Sequence, residues 1–219
     1  FYARYRQGNL QFTALWGKHE HGRPNGAYGT VFDDPRNRDW DETLLLDTSY
    51  KKQLSEHALL SGRVFYGEVN WHGQYVSDYS GPPYDVDVED AVGRWAGAEA
   101  QLRYSGWKRQ QLLLGMDYQN NLRQNQFAED APPSLRCTAS GSASDPCLDD
   151  RRDSYRLGFY VQDDVALSED LNLNLGLRHD QSDNTDSQWS PRLGLRWQKD
   201  QANSYKFLYG SAFRAPNSY

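Results

Sequence analysis

Alternation at a period of two residues constrains this chain more than any other feature. Leu171, Leu173, Leu175 and Leu177 fall on one face of an extended segment, with Asn172, Asn174, Gly176 and Arg178 on the other. Side chains alternate across a strand, whereas a helix brings together residues three and four apart. On a helix these leucines would split between two sides; on a strand they form one stripe. The pattern recurs. Tyr155, Leu157, Phe159 and Val161 oppose Arg156, Gly158, Tyr160 and Gln162. Further stripes are Leu10, Phe12, Ala14 and Trp16, and Leu112, Leu114, Met116 and Tyr118. Leu193, Leu195 and Trp197 alternate with Arg192, Gly194 and Arg196, and Tyr205, Phe207 and Tyr209 with Lys206, Leu208 and Gly210.

Reading these stripes along the chain predicts ten strands, at 1–6, 9–18, 43–53, 59–71, 92–104, 109–121, 154–167, 171–180, 190–198 and 204–212. The fourth has two competing apolar sets, Leu60, Val64 and Tyr66 against Leu59, Phe65, Val69 and Trp71, which suggests a bulge there. Short and long connections alternate. Short turns fall near Gly8, Ser55–His57, Ser105–Lys108, Ser168–Asp170 and Lys199–Asn203; long stretches run over 19–42, 72–91, 122–153 and 181–189. Outer-membrane barrels sort their turns this way, short on the periplasmic side and long outside. The fold expected is all-β: a partial transmembrane antiparallel β-barrel meander of about ten strands, part of a larger barrel.

Composition agrees. Hydrophobic residues are only 37% of the chain, yet 14% is aromatic, which separates it from a disordered chain. No apolar run reaches the length of a membrane helix, but barrel strands need only about 9–11 residues and escape hydropathy windows. Trp16, Tyr118, Tyr155, Trp197 and Tyr205 lie near strand ends, as interfacial girdles require. The net charge of -6 argues against a nucleic-acid partner. Cys137 and Cys147 share one polar stretch and are expected to form a small disulfide loop in an oxidising compartment.

No nucleophile–base, phosphate-loop or zinc-finger pattern is present, so no catalytic residue and no cofactor is expected. His19-Glu20-His21 is the best metal candidate, because residues two apart in a strand share a side. A solvated loop entrance is the favoured reading of the two histidines. Asp85, Asp87, Glu89 and Asp90 similarly read as a charged external loop rather than a calcium site. No metal site is therefore assigned. Arg23, Tyr28, Phe32, Arg36 and Trp40 in the first long stretch, and Tyr75 and Tyr79 in the second, are expected to contact an amphipathic ligand by stacking and charge. Arg38 and Tyr84 belong to the same stretches. Arg156, Gln162, Asp164, Asn172, Asn174, Arg178, Arg192 and Arg196 should line a polar inner wall.

Several stretches resemble TonB-dependent outer-membrane receptors of the siderophore and metal-complex uptake type. The strongest are Ser-Pro-Arg-Leu-Gly-Leu-Arg-Trp at 190–197 and Tyr-Gly-Ser-Ala-Phe-Arg-Ala-Pro-Asn at 209–217. The hairpin at 157–164 and 171–180 is similar to one in that family, as is Gly-Thr-Val-Phe-Asp-Asp-Pro-Arg-Asn-Arg at 29–38. The last third matches most closely. The resemblance implies a barrel of about 22 strands with a plugged lumen. It implies the Gram-negative outer membrane, with lipid and lipopolysaccharide around the barrel. It also implies active import of an iron–siderophore or similar metal-bearing ligand, energised by TonB and its inner-membrane complex. Residues 1–219 read as an internal segment of that barrel, with the plug and remaining strands outside it. A passive porin and a structural or adhesive barrel remain as other readings, and neither is an enzyme.

Overall fold

The structure is a computed structural model and describes residues 1–78, 81–131 and 148–213. Ten strands appear in chain order: β1 (Tyr2–Gln7), β2 (Leu10–Gly22), β3 (Arg38–Ser55), β4 (Ala58–Ser77), β5 (Asp85–Tyr104), β6 (Gln110–Ala131), β7 (Leu148–Ala166), β8 (Leu171–Ser182), β9 (Gln188–Gln198) and β10 (Ser204–Gly210). They form one sheet in the order β1 to β10, each antiparallel to its sequence neighbours. Among the described residues the outer edges of β1 and β10 pair with nothing further. Among the described residues no helix is long and apolar enough to cross a membrane.

Directly opposed residues on antiparallel strands share a face, so the register assigns the two sides. Phe12, Thr48, Val64, Ala98, Tyr118 and Leu157 form one continuous cross-sheet row. Leu114, Val161 and Leu177 form another row on that side. Many of its large apolar side chains are exposed, Val64 by 56% and Phe159 by 48%, so nothing among the described residues covers them. The opposite face is polar and lines a concavity of about 1060 Å³ that includes Glu99, Asp117, Arg156, Arg178, Asp180 and Arg192. The sheet therefore curves around its wet side. Aromatic pairs mark the lower margin of the apolar band, Trp197 stacked on Tyr205 at 5.6 Å and Tyr104 edge-on to Trp107 at 5.1 Å. At the upper margin the Trp16 indole donates to Glu42 at 2.7 Å and the Tyr66 hydroxyl to Glu68 at 2.8 Å. Above that level this face turns polar, with Lys18 over the Trp40 ring, Trp40 stacked on His72, and His72 bonded to Asp90.

The strands are longer than the stripes. β3 starts at Arg38 rather than 43, β4 runs to Ser77 rather than 71, and β6 to Ala131 rather than 121. Apolar alternation reports where one face meets an apolar environment, while the backbone ladder needs only a partner strand. Where both faces meet water the stripe fades and the ladder continues. Much of each long connection is consequently strand, and the upper connections shrink to 23–37, 78–84, 132–147 and 183–187. The last is no longer than the lower turn 199–203, so the length difference resides mainly in the strands.

The fourth strand carries no bulge against β5, and Leu60, Val64 and Tyr66 take the apolar side. Register shifts fall instead at Gln53/Ser55, at Arg94/Trp95 against β6, and at Asn121/Gln124 against β7. The shift in β6 inverts its parity. Asp117 and Gln119 lie on the polar side below it, and Gln124 and Gln126 above it.

Candidate functional site

The middle of the polar wall is a belt of ion pairs. Arg63 on β4 reaches Asp47 on β3 and Glu99 on β5, the latter at 2.9 Å. Arg178 on β8 reaches Asp117 on β6 at 2.8 Å and Asp180 on its own strand at 2.7 Å. Cross-strand pairing sets this up, because Arg63, Glu99, Asp117 and Asp180 occupy one row. Glycines make room for rings. Trp95 lies over Gly67, Phe65 over Gly97 and Tyr160 over Gly115, each ring opposite the glycine it covers. A large ring flat over a cross-strand glycine shields backbone that would otherwise be bare. Of the predicted lining residues, Arg156 donates to Gln119 at 2.8 Å, while Gln162 and Asn174 donate to Asp164.

At the upper rim of this wall a second cluster forms around Asp39, which is 4% exposed. Arg23 grips it with two hydrogen bonds of 2.7 Å, a bidentate arrangement suited to guanidinium and carboxylate. Arg23, with help from the Trp71 indole, holds the Asp39 carboxyl below the usual carboxylate range. Gly73 sits between the Trp71 and Tyr75 rings, and burial pushes the Tyr75 phenol up. The 23–37 segment is tied down beside this cluster by Asn37, which is 1% exposed. Its amide donates to the Val31 carbonyl at 2.7 Å and accepts from the Val76 amide at 2.7 Å. The Val31 amide in turn donates to the Val76 carbonyl, and Thr30 bridges to Ser77. Among the described residues the buried apolar side chains are Val76 and Val86, directly opposed on β4 and β5.

The seven expected ligand contacts divide accordingly. Arg23 and Tyr75 meet at the rim, and Tyr75 lies in β4 rather than in a loop. Tyr28 and Phe32 project from the tip of the 23–37 segment, 102% and 75% exposed. Tyr28 sits at φ 57 between Gly26 at φ 61 and Gly29 at φ 85, a run of left-handed backbone that turns its ring outward. Arg36 is folded back on Asp34 at 2.7 Å, and the Asp34 carboxyl is held down at about 2. Trp40 also belongs to a strand, β3, on the side opposite Asp39 and Asp41, against Lys18 and His72. Tyr79, Cys137 and Cys147 lie outside the described residues. The acidic candidates are engaged or dispersed: Asp90 with His72, and Asp87 with Ser77 at 2.7 Å.

The His19 and His21 rings do meet. Nδ1 of His19 and Nε2 of His21 point at each other, and a carboxylate oxygen of Asp41 joins them, all three atoms within 4.8 Å of one another. Sequence reading found the histidines but missed Asp41, because only the β2–β3 register brings it opposite His19.

Comparison with known proteins places this wall in a family. The sequence matches the family described as TonB dependent receptor-like, beta-barrel, over residues 1–219. No curated protein matches it in sequence. Among solved structures it is similar to BauA, the ferric preacinetobactin receptor of Acinetobacter baumannii, with a TM-score of 0.59 and 10% identity over 91% of this chain and 37% of that one. It is similar to the siderophore receptor PirA of Acinetobacter baumannii, with a TM-score of 0.55 and 13% identity over 90% of this chain and 30% of that one. It is also similar to the RagAB peptide importer, with a TM-score of 0.58 and 13% identity over 94% of this chain and 31% of that one. The chain thus spans only 30% to 37% of the length of these structures. At such identities the likeness is one of fold. The apolar convex face is then the lipid side and the polar concave face the lumen. The chain belongs to the TonB-dependent receptor β-barrel family of the Gram-negative outer membrane.

Proposed function

We propose that this chain is part of an active importer that takes up an iron–siderophore or a similar scarce metal-bearing ligand through the outer membrane. The remainder of the receptor would supply a plug and the contact with TonB and its inner-membrane complex. The observation that carries the reading is the continuous polar wall, from the Arg63 and Arg178 belt up to the Arg23–Asp39–Tyr75 rim. A wall this rich in fixed charge suits a lumen filled by a second protein element that must release under load, since exposed ion pairs are individually weak. Ligand would be met first by Tyr28 and Phe32, the bare rings of the tip, and then by Arg23 and Tyr75. Arg36 adds charge to the tip, Tyr79 belongs to the neighbouring connection, and Trp40 faces the lipopolysaccharide side.

The likeness to a peptide importer, nearly equal to that to the siderophore receptors, makes a peptide cargo the second reading. Uptake by cells expressing the full-length receptor decides between these. The proposal expects saturable, TonB-dependent accumulation of radioactive iron supplied as a ferric siderophore panel. Accumulation of labelled oligopeptide alone favours the second reading. Entry that persists without TonB, as in a passive porin, contradicts both.

A further inference from the structure

We propose that His19, His21 and Asp41 form a binding site for a borderline divalent cation such as Zn²⁺ at the extracellular rim of the lumen. The two histidines are two apart on β2 and so share a side. Asp41 is directly opposite His19 on β3, which places a carboxylate beside two imidazoles without any loop having to order. The three ligand atoms lie within 4.8 Å of one another, and Nδ1 of His19 faces Nε2 of His21, so a small ring rotation lets both donate to one ion. Two imidazole nitrogens and one carboxylate oxygen suit Zn²⁺ or Cu²⁺ rather than a hard cation such as Ca²⁺.

The neighbouring charges isolate this carboxylate. Asp39, one row higher, is taken by Arg23. Glu20, between the histidines in sequence, points to the other face and pairs with Arg38 at 3.2 Å. Glu42 accepts from Trp16. The Asp41 carboxylate makes no hydrogen bond or ion pair among the described residues, so its charge is available to a cation. Three protein ligands leave a fourth position open to water or to a donor atom on an incoming molecule. The site lies on the lumen side of the rim, below the Arg23–Asp39 clamp, where material entering the barrel passes it.

The test uses full-length receptor in detergent, stripped with EDTA and titrated calorimetrically with ZnCl₂. His19→Gln/His21→Gln should bind one equivalent fewer than wild type. Asp41→Asn should weaken that equivalent at least tenfold. His72→Gln, whose ring faces the opposite side against Asp90, should change nothing. Histidine modification by diethylpyrocarbonate, read by peptide mass spectrometry, should show His19 and His21 protected by Zn²⁺. Heat-modifiable gel mobility checks that each variant remains folded. Unchanged stoichiometry in the folded double variant, or no protection of these two rings at saturating Zn²⁺, overturns the proposal. The import reading stands or falls separately, by uptake.

Discussion

Gly67 and Gly97 lie beneath rings contributed by the neighbouring strand, and a side chain at either position would collide with the ring above. The account therefore predicts that Gly67→Val or Gly97→Val displaces Trp95 or Phe65 and costs about 1–3 kcal/mol, the usual range for overpacking. The midpoint of heat-modifiability for the full-length receptor should fall, while Gly17→Val, with open space around it, should be near neutral. On the convex side, Leu177 shares a row with Leu114 and Val161 within the apolar band. Leu177→Arg should cost about 2–4 kcal/mol near the bilayer midplane, measured by reversible unfolding in detergent or lipid. At the rim, Arg23 holds Asp39 below its ordinary pKa. A carboxyl whose pKa is lowered by folding lends stability that is fully present above its unfolded pKa and lost as the pH falls through the folded value. Tethering of Arg23 should thus be constant from neutrality down to the usual carboxylate range and fail below it. Hydrogen exchange at the Arg23 amide follows that loss, and Asp39→Asn should remove the pH dependence.

Among the elements, the 23–37 segment is held by the buried Asn37 side chain together with backbone bonds to β4. Asn37→Ala leaves the Val31 carbonyl and Val76 amide without these partners, at about 1–3 kcal/mol for each buried group left unsatisfied. Limited proteolysis should then cut within 23–37 at least several-fold faster than in wild type, with β2 and β3 intact. This docking was not legible in the sequence, because Asn37 reads as an ordinary loop asparagine until Val76 is placed beside it. The strands and their faces were legible, since Leu171 to Leu177 and its companion stripes record which side meets lipid. Their ends were not: from residue 121 on, β6 reads Asn-Leu-Arg-Gln-Asn-Gln, mostly polar, and only a partner strand shows that it continues. The parity change at Leu122 was hidden for the same reason. Arg23 and Tyr75 were singled out by residue type, but that they share one rim shows only in the fold. Trp40 and Tyr75 were misplaced among the loops because a stripe cannot report strand beyond the bilayer, and Asp41 was missed because only the β2–β3 register sets it opposite His19.

For the whole molecule, the open edges of β1 and β10 decide behaviour outside the receptor. Unpaired backbone is too costly in lipid for an open sheet to persist there. In water, the convex apolar face and the two edges favour association. Residues 1–219 expressed alone should be recovered as aggregate, and a monodisperse monomer by light scattering would contradict the assignment of the faces. The central claim, that this sheet is barrel wall with lipid on one side and lumen on the other, is tested most directly by a cysteine scan of β8 in the full-length receptor reconstituted in liposomes. An environment-sensitive dye attached singly at each position from 171 to 178 reports its surroundings through quenching by lipid-borne and by water-soluble quenchers. The account predicts strict alternation, with positions 171, 173, 175 and 177 quenched from the lipid and 172, 174, 176 and 178 from water. Alternation of opposite sign, or no alternation, would contradict it.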